Sequence, residues 1–164
     1  MRSEKSKAIF LDRDGVLIRE RGDYTWLMED MQINEGVPEV LKKYNQAGYI
    51  LIIISNQAGI GKGLYTKEEV DFLHHQLLRF LSAKGAIIEE VYYCPHHPTT
   101  GKCLCRKPLG LLLEKAMARF NIDPKQSYFI GDADRDVEAG IAAGVKPYQL
   151  EVNGRLPELD VLAL

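Results

Sequence analysis

Residues 8–16 read AIFLDRDGV, an apolar run that ends abruptly in two acids, Asp12 and Asp14, and a glycine. A short apolar run of this kind is typical of a buried strand in a parallel sheet. Three later apolar runs also end in polar clusters, at 55–57, 94–97 and 131–136. Because ligands bind beyond the carboxyl ends of parallel strands, the four clusters together predict one shared site.

The chain alternates strand and helix patterns, which favours a parallel sheet with crossover helices. Apolar and β-branched runs predict strands at 8–11, 49–54, 87–93, 127–130 and 145–150. Apolar residues at helical spacing predict helices at 38–46, from the capping box Thr66–Glu69 through Leu81, at 108–120 and at 136–143. We therefore expect an α/β protein, with an irregular segment at 19–34.

The composition fits one compact domain that spans residues 1–164. Hydrophobic residues make up 46% of the chain and charged residues 27%, as in soluble globular proteins. The net charge of −2 argues against a nucleic-acid partner. No apolar run reaches the roughly 18 residues that a membrane span needs, so we expect no membrane partner. Because Met1–Lys7 is charged and lacks the apolar core of a signal peptide, we expect a cytoplasmic protein, and we expect it to be a monomer.

Asp12 and Asp14 suit the transfer of a phosphoryl group, although Asp-Gly is also a common turn. One carboxylate can attack phosphorus, and the second can protonate the leaving oxygen and later deprotonate water. Two acids so close together favour a cation between them, and Mg²⁺ prefers carboxylates together with phosphate oxygens. Asp132 is the natural third acid at the end of a later strand. Asp134 and Asp136 follow it, and one of these acids is expected to cap the next helix.

Candidate phosphate-binding residues follow the second strand and the cysteine-rich segment. Ser55 and Asn56 offer polar side chains, and Lys107 offers a compact charge suited to a phosphoryl oxygen. Arg106 is a candidate contact for the substrate, although an Arg-Lys pair is also common on protein surfaces. The run Gly59–Gly63 lacks the flanking residues of a nucleotide-binding loop, and we expect it to be a mobile loop beside the site.

Cysteine and histidine spacing predicts a closed, structural zinc site. Its four expected ligands are Cys94, His96, Cys103 and Cys105. His97 is an alternative fourth ligand, and free thiols are the alternative to a metal site. We expect His74 and His75 to be ordinary surface or half-buried residues of a helix.

The four clusters resemble the motifs of the haloacid dehalogenase-like phosphatases. The resemblance implies a Rossmann-like parallel sheet with helices on both faces, a zinc-bound loop and no large cap domain. It makes Asp12 the nucleophile and Asp14 the general acid/base. It also implies Mg²⁺ held by Asp12, the Asp14 carbonyl and Asp132, phosphate bound by Ser55 and Lys107, and a supporting role for Asp136.

Further likeness lies in residues 56–63, 94–98 and 105–108, which are similar to a zinc-loop branch of that family. The branch implies a sugar phosphate as substrate, with hydrolysis of the C7 phosphate of a heptose 1,7-bisphosphate. Histidinol phosphate is the alternative, because the short spacing from His96 to Cys103 is more like enzymes that act on it. Two non-enzyme alternatives are a phospho-accepting receiver and a zinc-dependent interaction module. Tyr24 and Trp26 suit either a sugar face or the core.

Overall fold

The computed structural model describes residues 4–164, so Met1–Ser3 of the segment considered for a signal peptide lie outside it. Within that range five strands form one parallel sheet in the order β3-β2-β1-β4-β5: β1 (Ala8–Leu11), β2 (Ile50–Asn56), β3 (Glu90–Cys94), β4 (Tyr128–Gly131) and β5 (Lys146–Gln149). This topology confirms the predicted α/β class.

Helices cover both faces of the sheet. Side chains alternate along β1, so Ile9 and Leu11 enter one core while Ala8 and Phe10 enter the other. The first core is closed by α1 (Val37–Gln46), α3 (Lys67–Ala83) and α6 (Leu159–Leu162), and the second by α4 (Leu111–Phe120) and α5 (Asp134–Ala143). Across residues 4–164, no helix combines the length and apolar character that crossing a bilayer requires.

The register places the predicted site at one edge of the sheet. Leu11 at the end of the central strand is level with Ile53 of β2 on one side and with Ile130 of β4 on the other. The chain reverses its direction of winding between β1 and β4, and ligands bind at such a switch point. The residues that follow these strand ends therefore share one crevice.

Two elements begin later in the chain than predicted. The third strand begins at Glu90 and not at 87, because the Asn45 amide bonds both the N–H (2.7 Å) and the carbonyl (3.1 Å) of Ile87. The fourth helix begins at Leu111, because residues 106–109 form a turn closed by a bond from Leu109 N to Arg106 O.

The glycine-rich run after β2 is partly helical, contrary to the expected mobile loop. The short α2 (Ala58–Gly61) lies against the cysteine-rich segment. A Cβ at Gly61 would lie 2.7 Å from the backbone nitrogen of His97, so only glycine permits this approach.

Candidate active site

Lys107 forms the buried centre of the site. Its Nζ lies 2.9 Å from Asp12 Oδ1, 2.7 Å from Asp136 Oδ1 and 3.0 Å from the carbonyl of Ile54. The ammonium is thus surrounded by three oxygens, two of them in ion pairs, and only 1% of the residue is exposed. This arrangement fixes one positive charge beside the Asp12 carboxylate.

Asp12, Asp132 and Asp136 form a carboxylate cluster. One oxygen from each lies within 4.8 Å of the others. Asp132 Oδ1 is buried and has no hydrogen-bond partner among residues 4–164, so it has a free lone pair to offer. Carboxylate oxygens beside a phosphate crevice are the donor set that Mg²⁺ prefers. The residues present therefore fit a magnesium ion.

Burial and neighbouring charges shift the pKa values of this cluster. Burial raises the pKa of Asp12 to about 7, with Lys107 opposing the shift and Asp136 and Asp14 adding to it. Burial and the charge of Asp136 likewise raise the pKa of Asp132. For Lys107 burial alone would lower the pKa, but the charges of Asp12 and Asp136 outweigh it and raise the pKa. An added cation would favour the ionised acids.

Asp136 caps helix α5. Its Oδ2 accepts from the backbone N–H groups of Asp132 (3.2 Å) and Ala133 (3.1 Å). A carboxylate at a helix N-terminus is favoured by the exposed amides and by the helix dipole. With Oδ1 on Lys107, this acid is engaged on both sides and supports its neighbours. Asp134 points elsewhere, since it accepts from the exposed side chain of Gln149.

Asp14 lies at the crevice wall, and its carboxylate is not part of the three-acid cluster. Arg13 holds it, with Nε 3.2 Å from both carboxylate oxygens and Nη2 3.0 Å from Oδ1. Gln57 Nε2 donates to Oδ2 at 3.2 Å. The resemblance assigned only the backbone carbonyl of Asp14 to magnesium, and the side-chain position is compatible with that assignment.

The other three predicted phosphate- or substrate-binding residues differ in whether their side chains face the crevice. Ser55 is buried and accepts from Gln57 Nε2 at 2.8 Å. Asn56 lines the crevice, but its amide clamps the backbone of Lys107, donating to the carbonyl (3.2 Å) and accepting from the N–H (3.0 Å). Arg106 lines the crevice mouth directly.

Residues that the sequence patterns did not single out complete the crevice. Arg135 lies on its wall, as do Glu20 and Asp23. Of the two aromatic residues that the sequence did single out, Tyr24 lines the crevice, whereas Trp26 stacks on Tyr65 at 5.7 Å between ring centroids. Arg135 was detectable in principle, because it stands within the predicted polar cluster at 131–136.

Arg13 and His74 were also missed. Arg13 is 1% exposed and His74 is 5% exposed, so the expectation of an ordinary surface or half-buried residue is wrong for His74. His75, the next residue, is exposed as expected. Leu73 and Leu77 show that this helix face is buried, but the pattern alone does not reveal a polar partner for His74.

The four predicted zinc ligands meet in one cluster, since their donor atoms all lie within 4.8 Å. Cys94 Sγ lies 3.3 Å from His96 Nδ1, 3.7 Å from Cys103 Sγ and 3.1 Å from Cys105 Sγ. Two thiolates on one Zn²⁺ would stand about 3.8 Å apart, close to the 3.7 Å between Cys94 and Cys103, whereas Cys94 and Cys105 lie closer together. His97 instead bonds Thr99 through Nδ1. The donor set and its spacing therefore fit a tetrahedral zinc ion.

This fold and site define a hydrolase class, and the chain belongs to the haloacid dehalogenase-like hydrolases. The sequence profile of that family matches residues 16–144. The predicted resemblance to this family is thereby confirmed.

Named relatives and a solved structure match most of the chain. D-glycero-beta-D-manno-heptose-1,7-bisphosphate 7-phosphatase of Haemophilus ducreyi is 38% identical over 155 residues, which cover 91% of this chain and 85% of that protein. D-glycero-alpha-D-manno-heptose-1,7-bisphosphate 7-phosphatase of Photorhabdus laumondii is 37% identical over 151 residues, covering 88% and 82%. The crystal structure of D,D-heptose 1,7-bisphosphate phosphatase from B. bronchiseptica with magnesium and phosphate superposes with a TM-score of 0.81 at 28% identity, covering 88% of this chain and 79% of that one.

Proposed function

We propose that this protein is a Mg²⁺-dependent phosphatase that hydrolyses the C7 phosphate of a heptose 1,7-bisphosphate through an aspartyl-phosphate. The observation that carries the proposal is the convergence of Asp12, Lys107 and Asp132 at the switch point of the sheet. Relatives described as heptose bisphosphate phosphatases support the substrate. The family is one of hydrolases, which favours an enzyme over a receiver or an interaction module.

Asp12 is the proposed nucleophile, and its two oxygens are not equivalent. Oδ1 accepts from the backbone N–H of Arg13 at 2.8 Å and faces Lys107, while Oδ2 takes no hydrogen bond from the described residues. Oδ2 is therefore the atom free to attack phosphorus. Lys107 stabilises the charge that develops on the phosphoryl oxygens. When bound by Asp12 and Asp132, Mg²⁺ would supply further neutralisation of that charge.

The reaction has two steps, and Asp14 moves the proton in both. In the first, an Asp12 oxygen–phosphorus bond forms, the phosphorus–sugar oxygen bond breaks, and protonated Asp14 gives its proton to the sugar oxygen. In the second, ionised Asp14 takes a proton from water, whose oxygen bonds to phosphorus while the bond to Asp12 breaks. Inorganic phosphate leaves, and the protonated Asp14 begins the next cycle.

The crevice mouth favours a substrate with a second phosphate. Lys107 serves the reacting group, which leaves the guanidinium groups of Arg106 and Arg135 on the wall for another anion. Glu20 and Asp23 on the same wall can accept from sugar hydroxyls. A heptose bisphosphate offers both kinds of group.

Histidinol phosphate is the second candidate substrate. Glu20 and Asp23 would also suit its ammonium group, and the short spacing between His96 and Cys103 resembles that of enzymes acting on it. Arg106 and Arg135 would be left without an anionic partner. We therefore rank the bisphosphate first.

We propose further that the Cys94–Cys105 segment binds structural Zn²⁺. Burial and hydrogen bonding from Cys105 raise the pKa of the free Cys94 thiol to about 12, whereas a bound metal favours the thiolate. The zinc would hold the segment that leads into Arg106 and Lys107. The single domain over 1–164, the monomer and the cytoplasmic location stay predictions.

Measured phosphate release decides between these substrates. The purified protein with Mg²⁺ should release phosphate from heptose 1,7-bisphosphate faster than from histidinol phosphate or simple sugar monophosphates. Asp12→Asn should release none, while Asp134→Asn, an exposed acid of the same segment as Asp132, should behave as the unaltered protein. Preference for histidinol phosphate would reverse the ranking, and activity in Asp12→Asn would contradict the nucleophile.

A further inference from the structure

The Asp14 carboxylate accepts hydrogen bonds from side chains that have no role in the reaction described above. Arg13 bonds both of its oxygens, and Gln57 bonds Oδ2. The Asp14 side chain is 25% exposed and reaches the crevice, whereas the Arg13 side chain behind it is 1% exposed. Charge-assisted contacts from a planar guanidinium fix the direction of a carboxylate more tightly than a single bond does.

Arg13 is itself held by hydrogen bonds to two further residues, His74 and Thr25. Its Nη1 lies 3.0 Å from His74 Nε2, and its Nη2 donates to the carbonyl of Thr25 at 2.7 Å. A guanidinium has only donors, so His74 Nε2 must accept and the ring proton must lie on Nδ1. Burial and the Arg13 charge lower the pKa of His74 to about 3, which keeps the ring neutral and able to accept.

His74 carries an unmet polar atom. Its Nδ1 is buried and lacks a hydrogen-bond partner within residues 4–164. A buried unpaired donor usually destabilises a protein. An apolar side chain would suit this face of α3 better, since Leu73 and Leu77 beside it are fully buried. An apolar residue at position 74 could not accept the hydrogen bond from Arg13 that His74 accepts.

We propose that Arg13, held by His74, is a positioning residue that aims the Asp14 side chain into the crevice for the second chemical step. This inference rests on the proposed phosphatase function. The second step depends most on this direction, because there the carboxylate must face the attacking water.

The two steps can be measured separately with p-nitrophenyl phosphate. Its phenolate leaves with little need of a proton, so the first step depends weakly on Asp14, whereas the second step needs the aimed base. In His74→Leu the burst of nitrophenol should keep its rate and amplitude, while steady-state turnover falls about 10-fold, a part of the roughly 10²–10⁴-fold that a general base typically contributes.

Matched variants separate positioning from folding. His74→Gln places an amide oxygen near the position of Nε2 and should restore most of the turnover, and His75→Leu, at the exposed neighbour, should leave both phases unchanged. A merely structural role would lower the burst amplitude together with the turnover. Should His74→Leu fail to fold, Arg13→Lys, which keeps the charge and loses the fork, should show the same selective loss of the second step.

Two results would overturn the inference. One is equal steady-state turnover in His74→Leu and His75→Leu, and the other is an equal loss of burst rate and turnover in His74→Leu or Arg13→Lys. A different result would sink the proposed function itself, namely an unaltered protein that forms no phosphate, or an Asp12→Asn variant that still does. Asp14→Asn serves as the reference, with a burst and no turnover.

Discussion

The ammonium of Lys107 lies 2.9 Å from Oδ1 of Asp12, with both side chains buried. The same ammonium neutralises Asp136, which caps α5 and so positions Asp132. One cation therefore links the proposed nucleophile after β1 to the helix cap that positions the proposed magnesium ligand after β4. Its loss should affect the chemistry and the stability of the protein together.

Replacing Lys107 by Gln should leave two buried carboxylates without a compensating charge. We expect kcat/KM to fall by about 10²–10³, as when a key electrostatic donor is removed. Breaking a buried ion pair also typically costs about 3–5 kcal/mol of unfolding free energy. Urea unfolding and phosphate release measure the two effects. Unchanged stability would contradict the central role of this charge.

Removing a proposed zinc ligand should release the metal. Cys103→Ser should lose Zn²⁺ by elemental analysis and lower the unfolding free energy, because metal binding contributes to folding of such a segment. His97→Ala offers a matched control, since His97 lies in the same segment but bonds Thr99. We expect it to keep its zinc. Full zinc content in Cys103→Ser would count against the ligand set.

Arg135→Ala tests whether Arg135 binds the non-reacting phosphate of the proposed bisphosphate substrate. We expect KM for heptose 1,7-bisphosphate to rise about 10-fold, the loss of one charge-assisted contact, with little change for a sugar monophosphate. Arg79→Ala provides the control, because Arg79 is exposed on α3 and away from the crevice lining. Equal effects on both substrates would argue that Arg135 does not contact the second phosphate.

The buried neutral His74 should make stability depend on pH. Its pKa is about 3 in the folded protein against 6.5 for the unfolded chain, so between these values the unfolded state binds more protons. Its contribution is therefore present above pH 6.5 and is lost as pH falls. Between pH 7.5 and pH 5 the unaltered protein should lose about 2 kcal/mol more unfolding free energy than His74→Leu. Urea unfolding at both pH values tests this difference, and parallel losses in the two proteins would contradict it.

The sheet and the ends of its strands were predictable because their patterns are local. Leu11 and Ile54 end apolar runs, and because Leu11 is level with Ile53, parallel register brings the polar residues that follow these runs to one edge. The start of the third strand was not predictable, because the amide of Asn45, distant in the chain, bonds Ile87 before the ladder begins.

The candidate site, too, was predictable only where its residues carry a local sequence pattern. Asp12, Lys107 and Asp132 could be named because each stands beside a recognisable strand end or cysteine cluster, although their roles stay proposals. Arg13 and His74 could not be paired, because the contact exists only where α3 lies beside the turn that follows β1 in the folded chain. An arginine between two acids resembles a solvated surface pattern until the packing around it is known.

Trapping the covalent intermediate tests the central claim most directly. The Asp14→Asn variant, given Mg²⁺ and p-nitrophenyl phosphate and quenched in acid, should carry one phosphoryl group on the peptide that contains Asp12. Borohydride reduction should convert that residue to homoserine, as expected for an acyl phosphate. A turning-over protein that carries no phosphoryl group at Asp12, or carries it on another residue, would contradict the account.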